Sequence, residues 1–353
     1  MACPNLSVKV DRTRAAEGAV DLVKRIKPDW CKPGLELVTK TFTDGITNVL
    51  VGVKRKGDDE KEMLLVRVHG NNTELIIDRE REIRTIRMLE QKGCSPPLYC
   101  TFENGICYGF VPGQPVSLSS VRDPSVVPLV VKAMVKFHSV AGLGDGEEPV
   151  LFNTMESWLK LLPTDGGLDD NKQKRYLELC AKVDIERELG LLKERLLQLR
   201  VPVVFCHNDL LLGNVIHNRT DDSVAFIDFE YGGLNYRSYD IANHFCEYPG
   251  TENVDYKHYP GREHQLDFIR LYLEETARLK GGEAPVTIPT ADVERMYVEV
   301  NQFTLASHMF WGIWAVIQAV YSEIDFDYIG YAHTRFDEYL RRKDEFLSLS
   351  TSP

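Results

Sequence analysis

Between residues 205 and 231 the chain gathers polar side chains whose types and spacing suit one kind of chemistry. An apolar run ending at Phe205-Cys206 delivers His207-Asn208-Asp209. Asn214 comes next and opens a second apolar run, and a third, Val224–Ile227, ends at Asp228-Phe229-Glu230-Tyr231. Neighbouring strands that end together bring such residues to one point. Asp209 is placed to accept the proton of a substrate hydroxyl. Asn214 and Asp228 offer oxygen ligands suited to a hard cation such as Mg²⁺. A base, two metal-binding oxygens and a nucleotide cradle make up the inventory for phosphoryl transfer.

The elements that must position these residues fall into two parts. Residues 1–112 read as short strands around one helix. Leu35–Phe42, Asn48–Lys54, Met63–His69, Leu98–Phe102 and Ile106–Phe110 are β-branched or alternating runs, and Thr73–Gln91 carries helical periodicity closed by Gly93. Val111-Pro-Gly-Gln-Pro115 breaks the pattern and marks a connection. Residues 113–353 are mainly helical, with expected helices over Val126–Val140, Thr154–Leu162, Gln173–Leu199, Glu263–Lys280, Asp292–Val320 and Phe326–Phe346. The polar cluster lies in the one β-rich island among them. The expected fold class is α+β, two-lobed, with a small β-rich N-terminal lobe and a larger helical C-terminal lobe.

Composition narrows the function classes. The 353 residues are 43% hydrophobic and carry 42 basic against 53 acidic side chains, a formal charge of −11. A chain that wraps duplex nucleic acid needs many Lys and Arg contacts to phosphate, so that class is disfavoured. The eight cysteines form no C-x-x-C pair and are read as reduced thiols in a cytoplasmic protein, neither a disulfide scaffold nor a metal site. The N-terminus shows no secretory pattern. The most apolar stretch, Met309–Val320, is shorter than the roughly 20 residues that span a membrane.

The pattern H-x-D-x₄-N with a downstream I-D-F resembles the catalytic and metal loops of protein kinases. It departs from them in reading Asp228-Phe229-Glu230, without the glycine, and in lacking an A-P-E segment. The stretch from Ile227 to Glu247 is more specific. Ile227-Asp-Phe-Glu-Tyr231, Asn235-Tyr236, Asp240-Ile241, Asn243-His-Phe245 and Glu247 fill every specified position of the choline/ethanolamine kinase hallmark, so the chain resembles that family over nearly its whole length.

The resemblance implies a protein-kinase-like fold, ATP as co-substrate, Mg²⁺ as cofactor, and roles for individual residues. Asp209 is the base, and Asn214 and Asp228 the metal ligands. Asn48, at the end of Thr43-Asp-Gly-Ile-Thr-Asn48, belongs to the nucleotide loop. Arg67, which interrupts the apolar Leu64–Val68 run, contacts the nucleotide phosphates, and Glu82 is its acidic partner, with Glu80 a nearby competitor. His207 and Asp240 brace the catalytic loop, and His244 packs in the core. Tyr231, Trp311, Trp314 and Tyr331 surround the substrate ammonium, with Glu247 as counter-charge. Each cation–π contact contributes roughly 0.5–2 kcal/mol once desolvated.

Choline and ethanolamine share a cation and a primary hydroxyl. A trimethylammonium needs a wide aromatic cage, whereas a primary ammonium brings three N–H donors that need acceptors. Phe42-Thr-Asp-Gly-Ile-Thr-Asn48 and Val203-Val-Phe-Cys-His-Asn-Asp-Leu-Leu211 are similar to ethanolamine kinases, while Trp311-Gly-Ile-Trp314 is similar to choline kinases. The expected activity is phosphorylation of ethanolamine to phosphoethanolamine, which the family places at the start of the CDP-ethanolamine route to phosphatidylethanolamine. A choline or dual kinase is the alternative. A pseudokinase-like binding module and an aminoglycoside-type phosphotransferase fit less well, the first because Asp209, Asn214 and Asp228 are intact. The partners implied are ATP and ethanolamine, with no nucleic acid and no membrane insertion; the sequence leaves a homodimer open.

Overall fold

The computed structural model describes residues 3–42, 48–70, 73–140, 148–164, 167–251, 253–281 and 286–350. Thr43 to Thr47 of the expected nucleotide loop lie outside the described residues. The chain divides into two compact units, Met1–Gln114 with Ser322–Ile324, and Pro115–Tyr321 with Asp325–Pro353.

The first unit is built on a six-stranded sheet. Its strands are β1 (Asn5–Leu6), β2 (Leu37–Phe42), β3 (Val49–Arg55), β4 (Leu64–Val68), β5 (Leu98–Phe102) and β6 (Gly105–Gly109), in the order β1-β5-β6-β4-β3-β2. All pairings are antiparallel except β1 with β5. Helix α1 (Ala15–Ile26) buries Ala15, Ala19, Leu22 and Val23 in a core shared with Val51, Val53, Leu64, Val66, Val68, Cys100 and Phe102. That spacing is one face of a helix.

Helix α2 (Arg79–Gln91) starts later than its periodicity suggests. Asp78 caps it, accepting the Arg81 N–H at 3.0 Å, and only a 3₁₀ turn, Thr73–Leu75, precedes it. Strand β4 lies inside the sheet between β3 and β6, so Arg67 is no edge charge. Gly105 permits that packing, because a Cβ there would collide with the Arg67 carbonyl oxygen.

After the two-residue strand β7 (Gln114–Pro115), the second unit carries helices α3 (Val127–His138), α4 (Val150–Leu159), α5 (Asp170–Lys182) and α6 (Ile185–Leu197). The single helix expected over Gln173–Leu199 is two helices. Val183 is extended, and Asp184 restarts the chain by accepting the Arg187 N–H. Then come β8 (Val203–Cys206), β9 (Val215–Asn218), β10 (Ser223–Phe226) and β11 (Gly233–Tyr236), and after them α7 (Arg237–Cys246), α8 (Arg262–Leu279), α9 (Thr290–Tyr321) and α10 (Tyr328–Ser348). Strand β9 pairs antiparallel with β10, and β8 with β11.

Helix α9 is the spine of this unit. Val293 to Ala319 is almost entirely buried, and α10 and α7 pack along it. Its 32 residues make it the one helix, among the described residues, long and apolar enough to cross a membrane, yet 94% of the apolar window is buried inside the protein. A helix apolar all round and covered by neighbours is a core helix.

Candidate active site

The polar cluster occupies two loops held between paired strands. Residues 207–214 join β8 to β9, and residues 227–232 join β10 to β11. The loops are cross-tied. The Ile227 N–H donates to the Asn214 carbonyl at 3.0 Å, and His207 Nε2–H donates to the Ile227 carbonyl at 2.9 Å. His207 Nδ1 in turn accepts the Asp209 N–H at 3.3 Å. Phe137 packs against Phe205, His207, Phe226 and Phe229, with ring centroids 5.4–6.0 Å apart, so one apolar plug anchors both loops. Asn208 and Asp228 both have left-handed backbone, with φ of 69° and 65°. Non-glycine residues hold that conformation only where their surroundings enforce it. For Asn208 the enforcement is visible: its side chain donates to the Tyr231 carbonyl at 2.9 Å and accepts from Asn235 at 2.7 Å.

Asp209 is buried, and Asn214 Nδ2 donates to both its carbonyl and its Oδ2, at 2.9 and 3.1 Å. Burial first, then the carboxylates of Asp228, Glu247 and Glu230, push the Asp209 carboxyl well above the usual carboxylate range, while the Asn214 bond opposes this. Asp240 is fully buried and accepts the His207 N–H at 2.8 Å, the Asn208 N–H at 2.7 Å and His138 Nε2–H at 3.0 Å. Burial acts to raise its carboxyl, but these donors outweigh it and hold the group below its ordinary value. His244 donates to the Leu210 carbonyl at 3.1 Å from within the core.

A divalent cation fits the donor set. Asn214 and Asp228 offer only oxygen, because the Asn214 amide nitrogen is committed to Asp209. Oxygen ligands of this kind suit a hard cation such as Mg²⁺.

The aromatic residues meet in the same unit. Trp311 and Trp314 project from adjacent turns of α9, with ring centroids 5.5 Å apart and planes at 77°. Tyr231 stands edge-on to Trp311 at 5.3 Å, and its hydroxyl accepts Trp314 Nε1–H at 2.9 Å. Trp311 Nε1–H donates to Asn243 Oδ1 at 2.7 Å.

Glu247 is not a lone counter-charge. Its Oε1 accepts from Arg335 Nη1 at 3.1 Å, with both side chains almost fully buried. The same nitrogen reaches the Tyr331 hydroxyl at 3.3 Å, and Arg335 Nη2 donates to Ser307 Oγ at 3.0 Å. Ser307 in turn donates to Asn243. Glu247, Tyr331, Trp311, Trp314 and Tyr231 thus belong to one connected network. Its hub, Arg335, is not among the residues that the sequence motifs single out. Burial pushes the Glu247 carboxyl up, and Arg335 pulls it part of the way back.

In the first unit, Arg67 forms a buried ion pair with Glu82, and Arg79 Nη1 donates to Glu82 Oε2 at 2.8 Å. Glu80, the competitor, is exposed and only approaches Arg84. Asn48 Oδ1 accepts the Gly70 N–H at 3.4 Å.

Residues 39–340 match the family model for choline/ethanolamine kinase. A probable ethanolamine kinase of Nematostella vectensis is 42% identical over 351 residues, covering 99% of both chains. Ethanolamine kinase 1 of Mus musculus is also 42% identical, over 98% of this chain and 95% of its own. Among solved structures, Plasmodium vivax ethanolamine kinase superposes with a TM-score of 0.78 at 27% identity, covering 92% of this chain and 88% of its own. A choline kinase from Cryptosporidium parvum gives 0.74 at 26% identity, covering 94% and 96%. With its catalytic-loop pattern, its α+β fold and these full-length relatives taken together, the chain belongs to the choline/ethanolamine kinase family.

Proposed function

We propose that the protein transfers the γ-phosphoryl group of ATP to the hydroxyl of ethanolamine, giving phosphoethanolamine and ADP. The observation that carries this reading is the junction of Asp209 with the aromatic and acidic network. The loop that carries Asp209 is tied to that network by Asn208, whose side chain donates to the Tyr231 carbonyl at 2.9 Å, and the Asp209 carboxylate lies within the field of Glu247, so one small molecule with a cation at one end and an alcohol at the other would satisfy both. The relatives named for ethanolamine, similar over almost the entire chain, support the same substrate.

Asp209 accepts the proton as the alcohol oxygen attacks the γ-phosphorus. Its raised proton affinity suits that task, because a base works best with a pKa closer to the working pH. The Asn214 bond fixes the carboxylate's direction. Asn214 and Asp228 would hold Mg²⁺, which when bound screens the charge of the phosphates. Arg67, fixed by Glu82, supplies a stationary positive charge for the nucleotide phosphates, and Asn48 belongs to the nucleotide loop. Trp311, Trp314, Tyr231 and Tyr331 take the ammonium against ring faces, and Glu247 accepts its N–H groups. His207 and Asp240 keep the loop in place. The phosphoethanolamine formed enters the CDP-ethanolamine route to phosphatidylethanolamine.

The aromatic content of the network favours a second reading, a choline or dual-specificity kinase, since ring faces also suit a trimethylammonium. ADP release measured with ethanolamine, choline, an aminoglycoside and no acceptor separates these readings. ADP release with ethanolamine well above all three others supports the proposal, and release driven only by the aminoglycoside refutes it.

A further inference from the structure

His138, Cys206 and Asp240 form the one cluster of three His, Cys, Asp or Glu side chains, among the described residues, whose ligating atoms lie together, all within 4.8 Å. It is not a metal centre, because the two oxygens of Asp240 already accept three hydrogens. Two of these come from the backbone of the catalytic loop, at His207 and Asn208. The third comes from His138, the last residue of α3, whose imidazole is buried.

The hydrogen positions follow from charge. Asp240 is ionised and can only accept, so His138 Nε2 carries the hydrogen between them. His138 Nδ1 and the Tyr272 hydroxyl share a hydrogen bond at 2.7 Å, which fixes the ring's orientation from α8. Asp240 also sits in the first turn of α7, where the helix dipole favours a carboxylate. His138 is the one side-chain donor among the three, and it alone joins the loop's anchor to two helices outside the loop, α3 and α8.

The consequence concerns Asn208. Its left-handed backbone, φ 69°, lies directly before Asp209 and sets the direction in which that carboxylate leaves the loop. The Asn208 N–H is held by Asp240 Oδ1, and the His207 N–H by the same oxygen that His138 holds. Without its side-chain donor the Asp240 carboxylate would be held by the two loop N–H groups alone, and both backbone contacts would loosen together.

We propose that His138 is a positioning residue for phosphoryl transfer: acting through Asp240, it holds the His207–Asn208 backbone and so aims Asp209. The proposal rests on the reading of Asp209 as the base. A purely packing role for His138 would change stability and leave the turnover of folded enzyme untouched.

The test compares His138→Gln, which keeps an N–H donor, with His138→Met, which fills similar space without one. Turnover, KM for ethanolamine and for ATP, and hydrogen exchange at the His207 and Asn208 amides are read for each. The Met variant is expected to lose about 10- to 100-fold in kcat, as displacement of a reacting group by about 1 Å does, with both KM values within about threefold of wild type. Its two loop amides exchange about tenfold faster or more. The Gln variant stays within about fivefold of wild-type kcat, with slow exchange.

If the Met variant does not fold, Tyr272→Phe replaces it, with a kcat loss of roughly three- to tenfold expected, because it frees the ring His138 presents. A folded Met variant with kcat within about twofold of wild type overturns the proposal. So does a kcat loss without faster exchange at the two amides. If wild-type enzyme turns over choline but not ethanolamine, the substrate reading fails separately, and the same comparison is run on choline.

Discussion

Replacing Arg335 with methionine isolates the hub that ties the predicted amine-binding residues together. Arg335 is 2% exposed and Glu247 is 4% exposed, and their charged atoms meet at 3.1 Å. Methionine fills much of the arginine's volume but leaves the Glu247 carboxylate buried without its partner. Breaking a buried pair from one side costs about 3–5 kcal/mol, mainly the desolvation of the charge left behind. Loss of the Arg335 bonds to Ser307 and Tyr331 falls within that range. For a unit of this size, the expected drop in Tm is roughly 6–20 °C. Glu247→Gln should also destabilise, because it strands the guanidinium.

The double variant, Arg335→Met with Glu247→Gln, removes both charges and is expected to recover about 2 kcal/mol relative to the sum of the single changes. Urea unfolding of the four proteins gives that coupling energy directly. Additivity within about 0.5 kcal/mol would show that the pair is not a buried unit, and the role of Arg335 as organiser of the network would fall with it.

Asp209→Asn should leave nucleotide binding intact and lower kcat by about 10²–10⁴-fold, the usual range for a lost general base; a variant with more than about half the wild-type kcat contradicts the assignment. Activity titrated against Mg²⁺ should be impaired more by Asp228→Ala than by Asn214→Ala, because a carboxylate holds a hard cation better than an amide, and an unchanged metal dependence in Asp228→Ala would remove it from the metal site. Stability should fall as the pH drops from about 6.5 toward 4. Burial pushes His244 down to about 4, so the folded ring stays neutral while the unfolded chain takes up a proton near pH 6.5. His308 is pushed down in the same direction, again mainly by burial. Urea midpoints between about pH 7.5 and 4.5 test this, with His244→Asn expected to flatten part of the slope.

The features readable from sequence are local ones. Asp209, Asn214 and Asp228 sit at the ends of short apolar runs, so spacing alone places them on facing loops. Trp311 and Trp314 lie one turn apart, and helical periodicity puts them together. Arg67 stands out because a charge in an apolar strand demands a partner. The hidden features depend on long-range pairing. Arg335 sits on α10, an amphipathic helix that also carries Arg341 and Arg342, and only its meeting with Glu247, 88 residues away, sets it apart. His138 ends an apolar helix, and its link to Asp240 spans 102 residues. Strand β11 escapes notice because Gly233–Tyr236 is too short to show alternation without β8 beside it. Helices α5 and α6 run together in sequence because their periodicities nearly continue, and a single cap at Asp184 divides them.

Preference for ethanolamine over choline is the property on which the proposed function stands, and one competition experiment reads it. Equimolar ethanolamine and choline, mixed with limiting enzyme, ATP and Mg²⁺, give two products that ³¹P NMR separates, and their initial ratio is the ratio of the two kcat/KM values. Phosphoethanolamine is expected in clear excess, because in the proposed site Glu247 would accept N–H groups that a trimethylammonium lacks. An excess of phosphocholine would contradict the assignment.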